Sequence, residues 1–169
     1  MKSLLVVIDM QNDFVFGALG TQEAQAILPA VKARIEQARE TGETVVFTRD
    51  THQENYLSTQ EGQNLPVPHC IVGSDGWQIV DGLRKNEGVF DKPTFGSLEL
   101  AKYVKTLGFE RVMLIGVCTD ICVVSNALLI KATCPETIVC VQENACAGVT
   151  KEKQACAIET MRSCQVQIF

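Results

Sequence analysis

Apolar positions along the chain gather in short unbroken runs, and the segments between those runs carry a helical period. The first run, LLVVID over residues 4–9, has no polar residue before Asp9, the pattern of a strand covered on both faces. Beyond it Ile27, Val31, Ile35 and Ala38 share one helical face and Gly42 closes the segment, so a helix follows the strand. Further strands are predicted at 44–50 (TVVFTRD), 88–92 (GVFDK), 111–117 (RVMLIGV), 137–143 (TIVCVQE) and 165–169 (QVQIF). Ser97 is placed to cap a helix that buries Leu100, Val104 and Leu107 and ends before Gly108. Residues 120–132 are apolar nearly all round, which predicts a helix buried on several sides, and another helix is expected over 151–163. The polar stretch around Pro66 and Pro68 reads as a long loop.

Strands without polar alternation, separated by helices, imply a parallel sheet with helices on both faces, because right-handed crossovers place them there. The expected fold class is α/β: a three-layer α/β/α sandwich around a mostly parallel, doubly wound six-stranded sheet, one domain over residues 1–169. A chain of 169 residues that is 46% hydrophobic can bury the core this needs. The formal charge of −5, without a Lys/Arg cluster, argues against nucleic acid as a partner. No segment approaches the roughly 18 apolar residues of a membrane span, and the N-terminal run stops at Asp9, short of a signal-peptide core. The expected location is therefore cytoplasmic. In that setting the eight cysteines are expected as reduced thiols, with Cys134, Cys140, Cys146, Cys156 and Cys164 filling the core.

Ligands of such sheets collect beyond the carboxyl ends of the strands, so the residues that terminate each strand carry the candidate chemistry. They are Asp9, then Arg49-Asp50 with His52 beyond, then Asp91-Lys92, and finally the loop that leads to Cys122. Cys122 stands at a predicted helix start, where backbone N–H groups, the helix dipole and a nearby lysine would favour thiolate. Asp9 is the natural base for it; Cys118 is expected to contribute its backbone, and Asp120 to cap the helix. Asp50, His52 and His69, with the chain's only two histidines, form a donor set suited to Zn²⁺, Mn²⁺ or Fe²⁺. Glu61, in the same loop, could add a fourth oxygen but reads by default as solvated. Trp77 follows Gly76 in what reads as a surface helix start.

Taken together, VVIDMQNDFV, DTH, PHCIVGSDG, the Lys92 strand end and GVCTDICV resemble the isochorismatase-like cysteine hydrolases, specifically their nicotinamidase/pyrazinamidase branch, over nearly the whole chain. That resemblance implies hydrolysis of nicotinamide to nicotinate and ammonia in pyridine-nucleotide salvage. It makes Asp9 the general base and acid, Cys122 the nucleophile and Lys92 the cation that orients the pair. Asp50, His52 and His69 become ligands of a divalent metal, zinc first, that anchors the pyridine nitrogen, and Phe14 packs against the ring. It also implies a cis peptide at Val117–Cys118 that helps aim the Cys118 and Cys122 N–H groups at an oxyanion. The chain departs from larger relatives in the segment NLPVPHC, which has no aromatic residue to clamp a ring. Helix faces as apolar as these also leave room for a homo-oligomer. Two other readings stay open: a relative acting on another small amide, and a catalytically silent domain in which Cys118 and Cys122 form a thiol switch.

Overall fold

Leu4, Val6 and Ile8 leave β1 (Ser3–Ile8) toward one side and Leu5 and Val7 toward the other, and all five are completely buried. The absence of polar alternation thus has its expected cause, a strand with a hydrophobic core on each face. The computed structural model describes residues 1–169. In chain order, β1 is followed by α1 (Asn12–Val15), α2 (Gln22–Ala26), α3 (Leu28–Thr41) and β2 (Thr44–Asp50). Next come a 3₁₀ turn (Tyr56–Ser58), α4 (Gln60–Asn64), β3 (Gly88–Lys92), α5 (Leu98–Leu107) and β4 (Arg111–Val117). A π-helical turn (Thr119–Val123) leads into α6 (Val124–Thr133), and β5 (Ile138–Ala147), α7 (Lys151–Ser163) and β6 (Gln167–Ile168) complete the chain. No helix is long and apolar enough to cross a membrane.

The six strands are all parallel, in the order β3-β2-β1-β4-β5-β6. One core joins a face of the sheet to Leu100, Ala101 and Val104 of α5, Ala127 and Ile130 of α6, and Ile158 and Met161 of α7. The other joins the opposite face to Val31, Ile35 and Ala38 of α3. This is the doubly wound three-layer sandwich the sequence pattern predicts. The chain winds outward from β1 through β2 to β3 and then returns to β4 on the other side of β1. The strand order therefore reverses between β1 and β4, the place in such sheets at whose carboxyl edge ligands bind. Asp9 follows β1 there and Cys122 follows β4.

Local chemistry accounts for most boundaries. Gly42 and Gly108 end α3 and α5 in the left-handed region, and the Ser97 hydroxyl accepts the Leu100 N–H as an N-cap. Gly116, at φ 115°, lies where β4 presses on β1, and a Cβ there would run into the Ile8 carbonyl. Gly116→Ala is thus expected to lose more than about 2 kcal/mol in urea unfolding, since both the space and the backbone conformation exclude a side chain.

Other boundaries differ from expectation. Leu107 is 40% exposed because it ends α5, and Ala101 occupies the buried face instead. The segment 120–132 is not one regular helix buried on several sides: it opens with the π turn, and α6 leaves Val124, Leu128 and Leu129 half-buried. β5 runs to Ala147 through an irregularity opposite Leu114–Gly116, whereas β6 shrinks to two residues because Gln165 turns through φ 65°. Cys140 and Cys146 are buried as expected and Cys134 is half-buried. Cys156 and Cys164 are exposed: α7 turns Ala157, Ile158 and Met161 inward, which points Cys156 out, and Cys164 lies past the helix end. Trp77 sits in a turn and starts no helix; its ring lies under the Arg49 guanidinium and its indole N–H donates to the Thr51 hydroxyl at 2.8 Å.

Candidate active site and metal centre

Lys92 ends the edge strand β3, two strands away from Asp9, yet its four-carbon stem carries the ammonium across the end of β2. There Lys92 Nζ lies 2.7 Å from Asp9 Oδ2 and 3.2 Å from Asp50 Oδ1, and it donates to the Thr94 carbonyl at 3.1 Å and to Cys122 Sγ at 3.5 Å. The ammonium is 1% exposed and Asp9 is fully buried, so water screens these charges little. Cys122 is buried as well, with 5% of its surface exposed. The three residues that the sequence reading assigned to three separate strand ends are thus in mutual reach.

The electrostatics follow from burial. Burial disfavours the Lys92 ammonium, but Asp9, Cys122 and Asp50 outweigh it and hold the group above the ordinary lysine range. Burial pushes the Asp9 carboxyl up, against the pull of Lys92. The thiol differs from expectation. Burial and the neighbouring Asp9 raise Cys122 well above an ordinary cysteine, and Lys92 only partly opposes them. Cys122 also lies inside the first turn rather than at its cap.

Several residues that the sequence reading passed over shape this corner. The Thr48 hydroxyl donates to Asp9 Oδ1 at 2.6 Å, leaving Oδ2 to the ammonium. Its signal was a polar residue inside the apolar strand VVFTRD. Gln11 is buried and clamps Asp50 from both sides, donating to its carbonyl at 2.9 Å and accepting its N–H at 2.7 Å. Asp120 does not cap its own helix; its carboxylate accepts the Val149 N–H at 2.9 Å and ties the π turn that holds Cys122 to the loop after β5. The Val117–Cys118 peptide is cis, as the resemblance implied, and the Cys118 N–H makes no backbone hydrogen bond. Cys118 packs against the core on the α3 side of the sheet while Cys122 belongs to the other, and burial, with Asp120 and Asp9, pushes the Cys118 thiol up to about 12.

Beside Lys92, ligand atoms of Asp50, His52, Glu61 and His69 all lie within 4.8 Å of one another. His52 Nε2 is 3.0 Å from Asp50 Oδ2 and 3.6 Å from Glu61 Oε1, and His69 Nε2 is 3.6 Å from the same Asp50 oxygen. His69 Nδ1 faces the Val67 carbonyl at 2.8 Å, which fixes the ring with Nε2 turned inward, as a metal-binding imidazole requires. Asp50 is held far below the usual carboxylate range: burial alone would raise it, but His52, His69 and Lys92 prevail. Two imidazoles and two carboxylates, three of them buried, fit a divalent cation. Glu61 therefore belongs to the cluster rather than to solvent, because α4 turns its carboxylate inward. Tyr56, missed in the sequence, packs on both imidazoles at 4.7 and 5.0 Å and donates to the Leu65 carbonyl. Asp13 accepts the Cys70 N–H at 2.7 Å, anchoring the loop that delivers His69. Phe14 stands 5.5 Å from the His69 ring.

Residues 3–169 match the family model of the isochorismatase domain. The chain belongs to the isochorismatase family. Within it, the chain is 32% identical to a "probable inactive nicotinamidase" of Arabidopsis thaliana over 72% of this chain and 69% of that protein. It is 26% identical to the nicotinamidase/pyrazinamidase of Mycobacterium tuberculosis over 97% and 96% of the two chains. Among isochorismatase-fold structures, the pyrazinamidase of Pyrococcus horikoshii in complex with zinc superposes with a TM-score of 0.88 at 32% identity, covering 100% of this chain and 99% of that one.

Proposed function

We propose that this member of the isochorismatase family is a metal-dependent cysteine amidohydrolase that converts nicotinamide to nicotinate and ammonia. The observation that carries the reading is one buried ammonium, Lys92, in contact with a carboxylate, a thiol and a carboxylate of the metal cluster at once. Lys92 thereby links the sulfur to the candidate metal cluster, so that one small amide bound at this corner would meet both. The nicotinamidase/pyrazinamidase of Mycobacterium tuberculosis and the zinc-bound pyrazinamidase of Pyrococcus horikoshii support the same choice of substrate class and metal.

In this reading Cys122 Sγ attacks the amide carbon as Asp9 takes the thiol proton, so the sulfur gains nucleophilicity without a standing thiolate. The carbonyl oxygen becomes an oxyanion beside the Cys118 N–H, which has no backbone partner to give up. Asp9 then returns the proton to the amide nitrogen, the C–N bond breaks, and ammonia leaves behind a thioester on Cys122. Water enters, and its oxygen bonds to the acyl carbon as Asp9 takes one of its protons. The C–S bond then breaks as Asp9 returns that proton to the sulfur, and the released acid gives up its remaining proton to solvent and departs as nicotinate. Lys92 keeps Asp9 oriented and offsets the negative charge that moves between Asp9 and Cys122. Asp50, His52, His69 and Glu61 would hold the divalent cation, which as a Lewis acid anchors the pyridine nitrogen.

Cys118 and Cys122 pack into different cores, which favours catalysis over the thiol-switch reading. The test is a panel of nicotinamide, pyrazinamide and benzamide, run with metal analysis before and after chelation. Ammonia release from nicotinamide is expected to be lost on chelation and restored by Zn²⁺, Mn²⁺ or Fe²⁺, with benzamide, which lacks the ring nitrogen, turned over poorly. Full activity in the metal-free protein, or equal turnover of benzamide, would remove the metal from the reaction. A folded, metal-loaded protein that releases no ammonia from any of the three would end the nicotinamidase reading.

A further inference from the structure

Two segments must stay in register for Lys92 to meet Cys122: the bend that follows β3 and the turn that leads into α6. Apart from Lys92 Nζ to Cys122 Sγ itself, every hydrogen bond between them is made by one side chain, that of Asn126. A nitrogen to sulfur contact of 3.5 Å is too weak to set the spacing on its own. Asn126 is 1% exposed and lies one helical turn beyond the nucleophile. Its Nδ2 donates to the Cys122 carbonyl at 2.8 Å and to the Phe95 carbonyl at 3.1 Å, and its Oδ1 accepts the Ser97 N–H at 2.9 Å.

Asparagine is a poor residue for the inside of a helix, so its place in α6 asks for a reason beyond helix formation. Both amide hydrogens are used, and the partners belong to the two segments that must align. Thr94, next to Phe95, gives its carbonyl to the Lys92 ammonium at 3.1 Å. Ser97 caps α5 and so fixes the far side of the bend. Gly96, between them, lies so close to Leu129 of α6 that a Cβ would collide with it. The bend and the helix are therefore pressed together, and the Asn126 amide sets their register.

We propose that Asn126 is a positioning residue for the nucleophile, holding Cys122 at the distance from Lys92 that the reaction needs. This rests on the reading of Cys122 as the nucleophile. Asn126→Ala removes all three bonds; Asn126→Ser can still donate to the Cys122 carbonyl four residues back but is too short to reach the bend. In both variants kcat for nicotinamide is expected to fall about 10- to 100-fold, with KM within about threefold of the parent and metal content unchanged. The rate at which iodoacetamide alkylates Cys122 at neutral pH, read from its peptide by mass spectrometry, is expected to fall about fivefold or more as Lys92 support for the sulfur is lost. Alkylation needs no turnover, so a parent protein inert toward nicotinamide would overturn the proposed function and still leave this test intact. The proposal is overturned if either folded variant keeps the parent alkylation rate, or if KM rises while kcat holds. Failure of both variants to fold also overturns it, because a purely structural clamp then accounts for the residue.

Discussion

Cys122→Ala is expected to lower ammonia release from nicotinamide by about 10⁴-fold or more, because no other group can form the acyl intermediate. Every neighbour points to this one sulfur. Lys92 donates to it at 3.5 Å, Asp9 shares that ammonium at 2.7 Å, and the Cys118 N–H stands without a backbone acceptor. Cys118 and Cys70, the other cysteines near the site, have no lysine bonded to the sulfur. Cys122→Ser should fare little better, since a hydroxyl holds its proton more tightly than a thiol and Asp9 would have to remove it. The alanine variant should fold, because it deletes a single sulfur from a large core. Parent-level activity in folded Cys122→Ala, by a coupled ammonia assay, would show that the nucleophile lies elsewhere.

Lys92→Met should have the largest effect on stability, about 3–5 kcal/mol, because it strands the buried carboxylates of Asp9 and Asp50 without their shared cation. For a chain of this length that corresponds to a fall of about 10 °C in Tm. The pH dependence follows from the directions of the shifts. The folded pKa of Lys92 is raised, so its contribution is fully present at neutral pH and is lost only as pH rises through that elevated value. The Asp9 carboxyl is also raised, so acidification protonates it readily and removes the charge left without a partner, while Asp50 keeps His52 and His69. The deficit of the variant should narrow as pH falls through the Asp9 range and persist at neutral pH. Calorimetry of metal-free protein across that range is the measurement. A Lys92→Met protein as stable as the parent at neutral pH would mean that the ammonium is not the counter-charge of this corner.

Much of the framework was legible because burial on two faces writes itself into consecutive residues. The LLVVI run in β1, the TVVFTRD run and the helix ending at Gly42 were readable one at a time, each from its own period and its own cap. The errors lie where local pattern and surroundings part. Leu107 keeps the period of α5 but meets no partner in the last turn, and Cys156 is apolar but lies off the buried arc of α7. Asp120 looked like a helix cap, yet the loop after β5 offers its carboxylate an N–H at 2.9 Å.

The site divides the same way. From the sequence alone came the list of groups at the carboxyl edge, Asp9, Asp50, His52, His69, Lys92 and Cys122, because strand ends are local events and a parallel sheet sends them all to one side. Only the tertiary structure decided what those groups do to one another. The edge-strand lysine spans β2 to reach β1, Glu61 turns inward to the histidines, and Asn126 ties the nucleophile to the lysine bend. It also decided that the Cys122 thiol is raised, not lowered. The physical reason is distance: charge, desolvation and hydrogen bonding act over a few ångströms between residues 30 or more positions apart, and crossovers, not spacing along the chain, set those ångströms.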